Sequence, residues 1–140
     1  MLIMNGVNIN FFDGERNLIM LWHDIFIKEK NERTYYSFKL RIKESIFMVE
    51  TEYKIDIAEI YSFISDLERM YQENSLIIRL NPLGEFFTFE FERGRSGRIE
   101  AKIFISELSG KIELSYSFDQ TFLPLLITEL KESVNVTDFR

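Results

Sequence analysis

The stretch Ser117–Pro124 constrains this chain most, because an alternating apolar pattern ends there and a helical apolar pattern begins. Asp119 and Thr121 carry side-chain oxygens that can accept hydrogen bonds from the free N–H groups of a helix's first turn. Pro124 is tolerated close to such a start, because proline lacks the N–H that would be unpaired there. The sequence therefore predicts a strand-to-helix corner with a structural role, formed by Asp119, Gln120 and Thr121.

Two segments carry apolar residues at helical spacing. The first covers about residues 56–73 and opens with Asp56 and Glu59 in the arrangement of a capping box. Its apolar face is predicted to comprise Ile57, Ile60, Phe63, Ile64, Leu67, Met70 and Tyr71. The second helix covers about residues 120–134, and its apolar residues form a face broad enough for close docking.

Most of the remaining chain alternates between apolar and polar residues, which predicts strands joined by short turns. A hairpin of the strands around Phe38 and Val49 would place Lys and Arg opposite Glu. We recognise no internal repeat, linker or low-complexity segment. The sequence therefore predicts a single α+β domain over residues 1–140, with a mainly antiparallel sheet of six to eight strands and both helices packed on one face.

Composition excludes several kinds of protein. The 140 residues contain no cysteine and one histidine, so we expect no disulfide, no thiolate or histidine-rich metal site, and no cofactor. A net charge of −6 argues against nucleic acid as a partner, because binding to phosphates depends on clustered Lys and Arg. The apolar beginning is interrupted by asparagines and fits neither a signal peptide nor a membrane span. We expect a cytoplasmic protein that is not an enzyme.

Two groups of residues could carry chemistry, and each also has a structural interpretation. His23 lies inside an apolar run, which favours a packed histidine over a ligand or a catalytic base. Arg93, Arg95 and Arg98 surround two glycines and could hold an anion, but their spacing matches no phosphate-binding motif and is typical of a basic hairpin tip.

The negative charge is concentrated in residues 44–74, which carry eight acidic residues and two basic ones. This pattern is typical of solvated strand and helix faces, and it could equally form a surface that attracts a basic protein. The candidate partner-binding residues are Glu50, Glu52, Glu59, Asp66 and Glu68.

Two segments carry a resemblance to a known family. The stretch Leu114–Pro124 resembles the strand ending in Asp-Gln-Thr, followed by an apolar helix, of the WapI-type bacterial immunity proteins. Phe12-Asp13-Gly14 with Asn17-Leu18 is similar to that family's Asp-Gly-Asn-Trp-Leu signature, although the tryptophan is missing here. The resemblance implies an intracellular protein that binds and neutralises a cognate toxin domain, commonly a nuclease, without catalysis.

An alternative function is binding of a small ligand or lipid. A curved sheet rich in Phe and Ile beneath two helices can enclose a cavity, and a filled core has the same sequence pattern. A closed cavity of ligand size would favour this alternative, whereas a filled core with an acidic outer face would favour toxin binding.

Overall fold

The computed structural model describes residues 6–44, 47–73, 76–81, 87–94, 96–107 and 110–135. These residues form eight strands, two α-helices and one 3-10 turn. The strands are β1 Ile9–Phe12, β2 Leu18–Lys30, β3 Arg33–Glu44, β4 Phe47–Asp56, β5 Ile77–Leu80, β6 Phe87–Arg93, β7 Arg98–Glu107 and β8 Gly110–Asp119. The helices are α1 Ile57–Gln72 and α2 Leu123–Val134, and the 3-10 turn Gln120–Phe122 precedes α2.

The predicted α+β class with antiparallel strands is confirmed. The eight strands are divided between two sheets of four, in the orders β1-β2-β3-β4 and β5-β6-β7-β8. We call these the first and the second sheet. The division was not foreseen, because alternation along a strand shows which side chains are buried but not which other sheet covers them.

The predicted hairpin of β3 and β4 has the expected register. Arg41 faces Glu50 and Lys39 faces Glu52, so opposite charges lie across from each other on the outer surface of the first sheet. On the other surface of β3 the side chains are buried: Tyr36, Phe38, Leu40 and Ile42. Since a one-residue slip would exchange the two surfaces, burial and charge pairing specify the same register.

The first helix begins as the sequence predicts, with Asp56 as its cap, whereas the second begins later than predicted: Asp119 caps the 3-10 turn Gln120–Phe122, and α2 starts at Leu123 with no side-chain cap. The Asp56 carboxylate accepts a hydrogen bond from the Ala58 N–H at 3.0 Å, and the Asp119 carboxylate accepts one from the Thr121 N–H at 2.9 Å. Five predicted face residues of α1 are buried: Ile60, Phe63, Ile64, Leu67 and Met70. The placement of Tyr71 on that face was wrong, because its side chain lies at the edge of the buried stripe and is 46% exposed.

The core lies between the two sheets and beneath the helices. Phe11 of the first sheet contacts Phe89 of the second edge to face, with 5.0 Å between ring centroids, and Tyr53 contacts Phe87 at 5.1 Å. Phe63 of α1 packs 6.1 Å from Phe89. These aromatic contacts hold the two sheets together and place α1 over the second of them.

The order of elements repeats, contrary to the expectation that the chain has no internal repeat: four antiparallel strands and a helix occur twice. Glu50, Tyr53 and Asp56 at the end of β4 recur at the same spacing as Glu113, Tyr116 and Asp119 at the end of β8. Four of the five buried residues of α1, Ile60, Phe63, Leu67 and Met70, also match buried residues of α2 at the same interval along the chain. Only a few residues agree in type, so the repeat is visible in burial and topology rather than in sequence.

Candidate functional site

A depression lies between the outer side of α1 and the end of β5. It is open to solvent and has a volume of about 280 Å³. Its floor is apolar, formed by the buried side chains of Phe63 and Leu80. Its wall is polar and comprises Glu59, Ser62, Asp66, Arg79 and Asn81. We refer to these seven residues as the α1–β5 groove.

Charge in the groove is predominantly negative. The Arg79 guanidinium is engaged by the Glu90 carboxylate, with Nε at 3.0 Å and Nη2 at 2.5 Å from Oε2. Because this ion pair neutralises Arg79, the carboxylates of Glu59 and Asp66 dominate the field in the groove. Asp66 also lies 3.8 Å from Nη1 of Arg69, whose side chain is 57% exposed. An exposed pair at this distance contributes little.

The structure brings two of the five candidate acidic residues together and separates the other three. Glu59 and Asp66 are two helical turns apart and line the groove. Glu68 lies on the opposite flank of α1, where its carboxylate pairs with Lys131 of α2 at 3.3 Å. Glu50 and Glu52 lie on the outer surface of the first sheet, opposite Arg41 and Lys39. The five residues therefore do not form one continuous acidic surface.

Glu50 is held in an ion pair. Its carboxylate accepts a hydrogen bond from Nε of Arg41 at 2.9 Å, and Nη2 of Arg41 lies at the same distance in an ion pair. This hydrogen bonding lowers the pKa of Glu50 from its ordinary value, and the positive charges of Arg41 and Lys39 lower it further. A carboxylate that is already paired has less to gain from a basic partner, so Glu50 is a weaker candidate than Glu59 or Asp66.

The predicted corner is tied to the turn between β1 and β2. The Gly14 N–H donates to the Ser117 carbonyl at 2.8 Å, and Arg98 Nη2 donates to the Ser117 hydroxyl at 2.7 Å. The Asp13 carboxylate closes the turn by accepting from the N–H groups of Glu15 and Asn17, at 2.8 and 2.9 Å. The two segments that carry the family resemblance therefore meet in space.

Arg93 has a structural role, which corrects its interpretation as part of a basic hairpin tip. Its side chain is buried, and its guanidinium donates to the Met70 carbonyl, to the Glu73 carbonyl at 3.1 Å, and to Oε1 of Gln120. The first two carbonyls are at the end of α1, where a helix has unpaired acceptors and a partial negative charge. Arg93 thus joins α1 to the corner. Arg95 lies outside the described residues.

His23 lies beside two carboxylates on the outer surface of the first sheet. Its Nδ1 is 3.5 Å from Asp24 Oδ2 and its Nε2 is 3.7 Å from Glu50 Oε2. Both carboxylates are well exposed, at 40% and 37%, and each also pairs with a basic residue, Lys39 or Arg41. His23 thus lies among exposed ion pairs, which agrees with its interpretation as a packed histidine. No three His, Asp or Glu side chains are grouped as metal ligands within the described ranges.

A second depression lies between β1, β8 and α2 and has a volume of about 20 Å³. That is about the space of one water molecule, too little for a lipid or a small ligand. It is lined by Asn10, Phe11, Phe12, Tyr116, Phe118, Phe122, Leu125 and Leu126. We refer to it as the β1–α2 pocket.

Comparison with known proteins gives a likeness of fold. No family model matches the chain, and no curated protein matches it. A solved structure of the trypanosome proteins MRP1/MRP2 is similar, with a TM-score of 0.52 and 11% sequence identity. The similarity covers 94% of this chain and 84% of that one. At this identity the likeness concerns the fold alone. None of the helices in the described part of the chain is long and apolar enough to cross a membrane.

Sequence reasoning missed several residues of the site. Nothing in the residue types of Arg79, Leu80 and Asn81 indicates that α1 lies beside them. The interval of seven between Glu59 and Asp66 was a usable signal, because it places both on one face of a helix. The sequence also carried a signal for the burial of Arg93, because Arg93 continues the series of inward-facing residues Phe87, Phe89 and Phe91 at the same spacing.

Proposed function

We propose that this chain is a bacterial immunity protein that binds a cognate toxin domain inside the cell and neutralises it without catalysis. The observation that carries the proposal is the α1–β5 groove, in which Glu59 and Asp66 share a concave surface over an apolar floor. Concave surfaces with an apolar base and a few polar groups are where proteins bind partners. The resemblance of Leu114–Pro124 and Asp13–Leu18 to WapI-type immunity proteins supports the same function.

Charge supports a basic partner. The chain has a net charge of −6, and a toxin that cleaves nucleic acid needs basic residues to hold phosphates. Opposite net charges accelerate association and select against acidic partners. The closely packed core and the small β1–α2 pocket provide no support for the alternative of a small-ligand or lipid site.

The test is protection of growth. The chain would be co-expressed with the toxin domain encoded next to it, and growth and complex formation would be scored together. The expected result is rescue by the natural chain and loss of rescue in the double charge reversal Glu59→Lys with Asp66→Lys. The physical reason is that both reversals place positive charge where the toxin's own basic residues must approach.

A matched control is available on the first sheet. The double reversal Glu50→Lys with Glu52→Lys changes net charge by the same amount on a different surface. If that control abolished rescue while the groove variant retained it, the groove would not be the toxin-binding surface. Failure of the natural chain to rescue growth from any neighbouring toxin would refute the proposed function.

A further inference from the structure

The internal repeat allows the two depressions to be compared with each other. Each sheet has a first strand, β1 or β5, and each of these strands lies beside the helix that follows the other sheet: α2 contacts β1, and α1 contacts β5. The α1–β5 groove and the β1–α2 pocket therefore occupy equivalent places in the two halves of the molecule.

Residue equivalence follows from the strand register. Ile9 of β1 pairs with Trp22 of β2, and Leu80 of β5 pairs with Phe89 of β6. Trp22 and Phe89 each pair in turn with a residue of the next strand, β3 or β7, and those two residues hold equivalent positions in the two sheets. Asn10 follows Ile9 and Asn81 follows Leu80, so the two asparagines are equivalent. On the helices, the interval from Asp56 to Asp66 equals that from Asp119 to Glu129, so Asp66 corresponds to Glu129.

Of the two equivalent residue pairs, Asn10 with Glu129 and Asn81 with Asp66, the first is joined by two hydrogen bonds. The Glu129 carboxylate accepts from the Asn10 N–H and from Asn10 Nδ2, both at 2.9 Å. This contact ties α2 to the edge of β1, and only about 20 Å³ remains open beside it. In the other half Asp66 has one methylene fewer than Glu129, and the depression between it and Asn81 is about 280 Å³.

Residue types at the other equivalent positions also differ. Phe122 and Leu125 line the β1–α2 pocket, whereas their counterparts in the groove are Glu59 and Ser62. Apolar side chains on one side of the repeat are thus replaced by a carboxylate and a hydroxyl on the other. In the half of the molecule that contains the groove, an open space remains between the helix and the strand, and the side chains that line this space can accept hydrogen bonds.

We infer that the α1–β5 groove receives one arginine side chain of the partner protein. Glu59, Asp66, Ser62 and Asn81 each offer oxygen acceptors, and a guanidinium carries five N–H donors in a planar fork. The apolar floor of Phe63 and Leu80 can cover the methylene stem of the same side chain. The groove is open to solvent and its volume of about 280 Å³ is enough for a single side chain. That the partner is a protein rests on the proposed function.

The test uses the full chain labelled with ¹⁵N and a capped peptide, Gly-Gly-Arg-Gly-Gly, titrated while amide shifts are recorded. A peptide with citrulline in place of arginine is the control, because it has nearly the same shape without the charge. The expected result is shift changes centred on Glu59, Asp66 and Asn81 with the arginine peptide alone.

Two variants at one position sharpen the test. Asp66→Asn is expected to weaken peptide binding about tenfold, through loss of a charge-assisted hydrogen bond. Asp66→Glu restores the longer carboxylate of the other half, so we expect it to bind Asn81, close the groove, reduce peptide binding and protect the Asn81 amide from exchange. Glu68→Gln on the opposite flank of α1 is the matched control and should bind the peptide as the natural chain does.

The inference is wrong if the arginine peptide binds Asp66→Asn as tightly as the natural chain, or if its shift changes lie outside the groove. These failures are distinct from failure of the proposed function. Toxin protection that survives Asp66→Asn and Asp66→Glu would overturn the groove inference alone. Arginine-peptide binding in the groove by a chain that rescues no toxin would overturn the proposed function alone.

Discussion

Single carboxylates at the ends of strands set the directions in which the helices leave the sheets. Asp56 and Asp119 each accept a hydrogen bond from the N–H two residues further on, which satisfies a free donor at the start of α1 and of the 3-10 turn before α2, respectively. At Asp119 the Thr121 N–H is the largest influence on the carboxyl group and lowers its pKa below the ordinary 3.8, with further lowering by the Thr121 side chain and the charge of Arg98. The hydrogen bonds of the corner thus favour the ionised form of this carboxyl group.

The Asp119→Asn variant tests the role of this charge. Because the folded-state pKa is lowered, the charged carboxylate stabilises the fold above pH 3.8, and that stabilisation is lost as the pH falls through the folded-state value. We expect the variant to melt a few degrees below the natural chain at pH 7. The difference should shrink when melting is followed by circular dichroism down to pH 2, and a constant difference would contradict the role given to the charge.

At the scale of elements, polar contacts at helix ends and strand edges join parts of the chain that are remote in sequence. Arg93 of β6 binds the last carbonyls of α1 and the side chain of Gln120 before α2. Tyr36 of β3 is hydrogen bonded at 2.8 Å to Ser133 of α2, whose hydroxyl donates to the Leu130 carbonyl. These contacts help to orient both helices relative to the sheets, because hydrogen bonds require specific distances and angles.

The Arg93→Leu variant should lower the free energy of unfolding by about 2–3 kcal/mol, because it removes hydrogen bonds from a charged donor and leaves buried acceptors without it. Urea unfolding measures the change. The matched control is Arg79→Leu, which breaks the ion pair between Arg79 and Glu90. Because the Arg79 side chain is 59% exposed, this variant should lower the free energy of unfolding by about 1 kcal/mol or less. Equal losses in the two variants would show that the helix-end contacts of Arg93 contribute nothing specific.

At the scale of the whole molecule, the two halves enclose a core rich in aromatic residues. Burial raises the pKa of Tyr116, and the nearby negative charge of Asp13 raises it further. Burial also raises the pKa of Tyr36, an effect that its hydrogen bond to Ser133 partly offsets. A raised pKa means that folding favours the protonated phenol, so these groups stabilise the fold below the ordinary value of 10.0 and destabilise it as the pH rises above that value.

We therefore expect the natural chain to unfold in alkaline solution, with the buried phenols ionising only as the chain unfolds. Absorbance at 295 nm and circular dichroism, recorded together from pH 8 to 13, measure both events. The Tyr116→Phe variant should unfold at a pH higher by about half a unit, since one ionisation coupled to unfolding is removed. Tyr61→Phe is the control, because Tyr61 is 50% exposed, and an equal shift in both variants would contradict the explanation.

Much of the fold could be predicted because its signals are local. Alternation along β3, β6 and β7, helical spacing along α1 and α2, and the corner at Asp119 depend on neighbours a few residues away. The site was only partly predictable. Glu59 and Asp66 could be placed on one helix face, but the choice of these two among five acidic candidates depends on Arg79, Leu80 and Asn81, which reach α1 only through tertiary packing.

The sequence by itself determined the α+β class, the antiparallel pairing, the two helices, the cap of α1, the corner at Asp119 and the acidic character of the chain. The tertiary structure decided that the strands form two sheets, that Arg93 binds the end of α1, and that α1 lies beside β5 to form the groove. The reason is physical. Backbone periodicity and capping are set by residues adjacent in the chain, whereas the docking of one sheet on another and of each helix on the opposite half is set by the shape of apolar surfaces that meet only after folding.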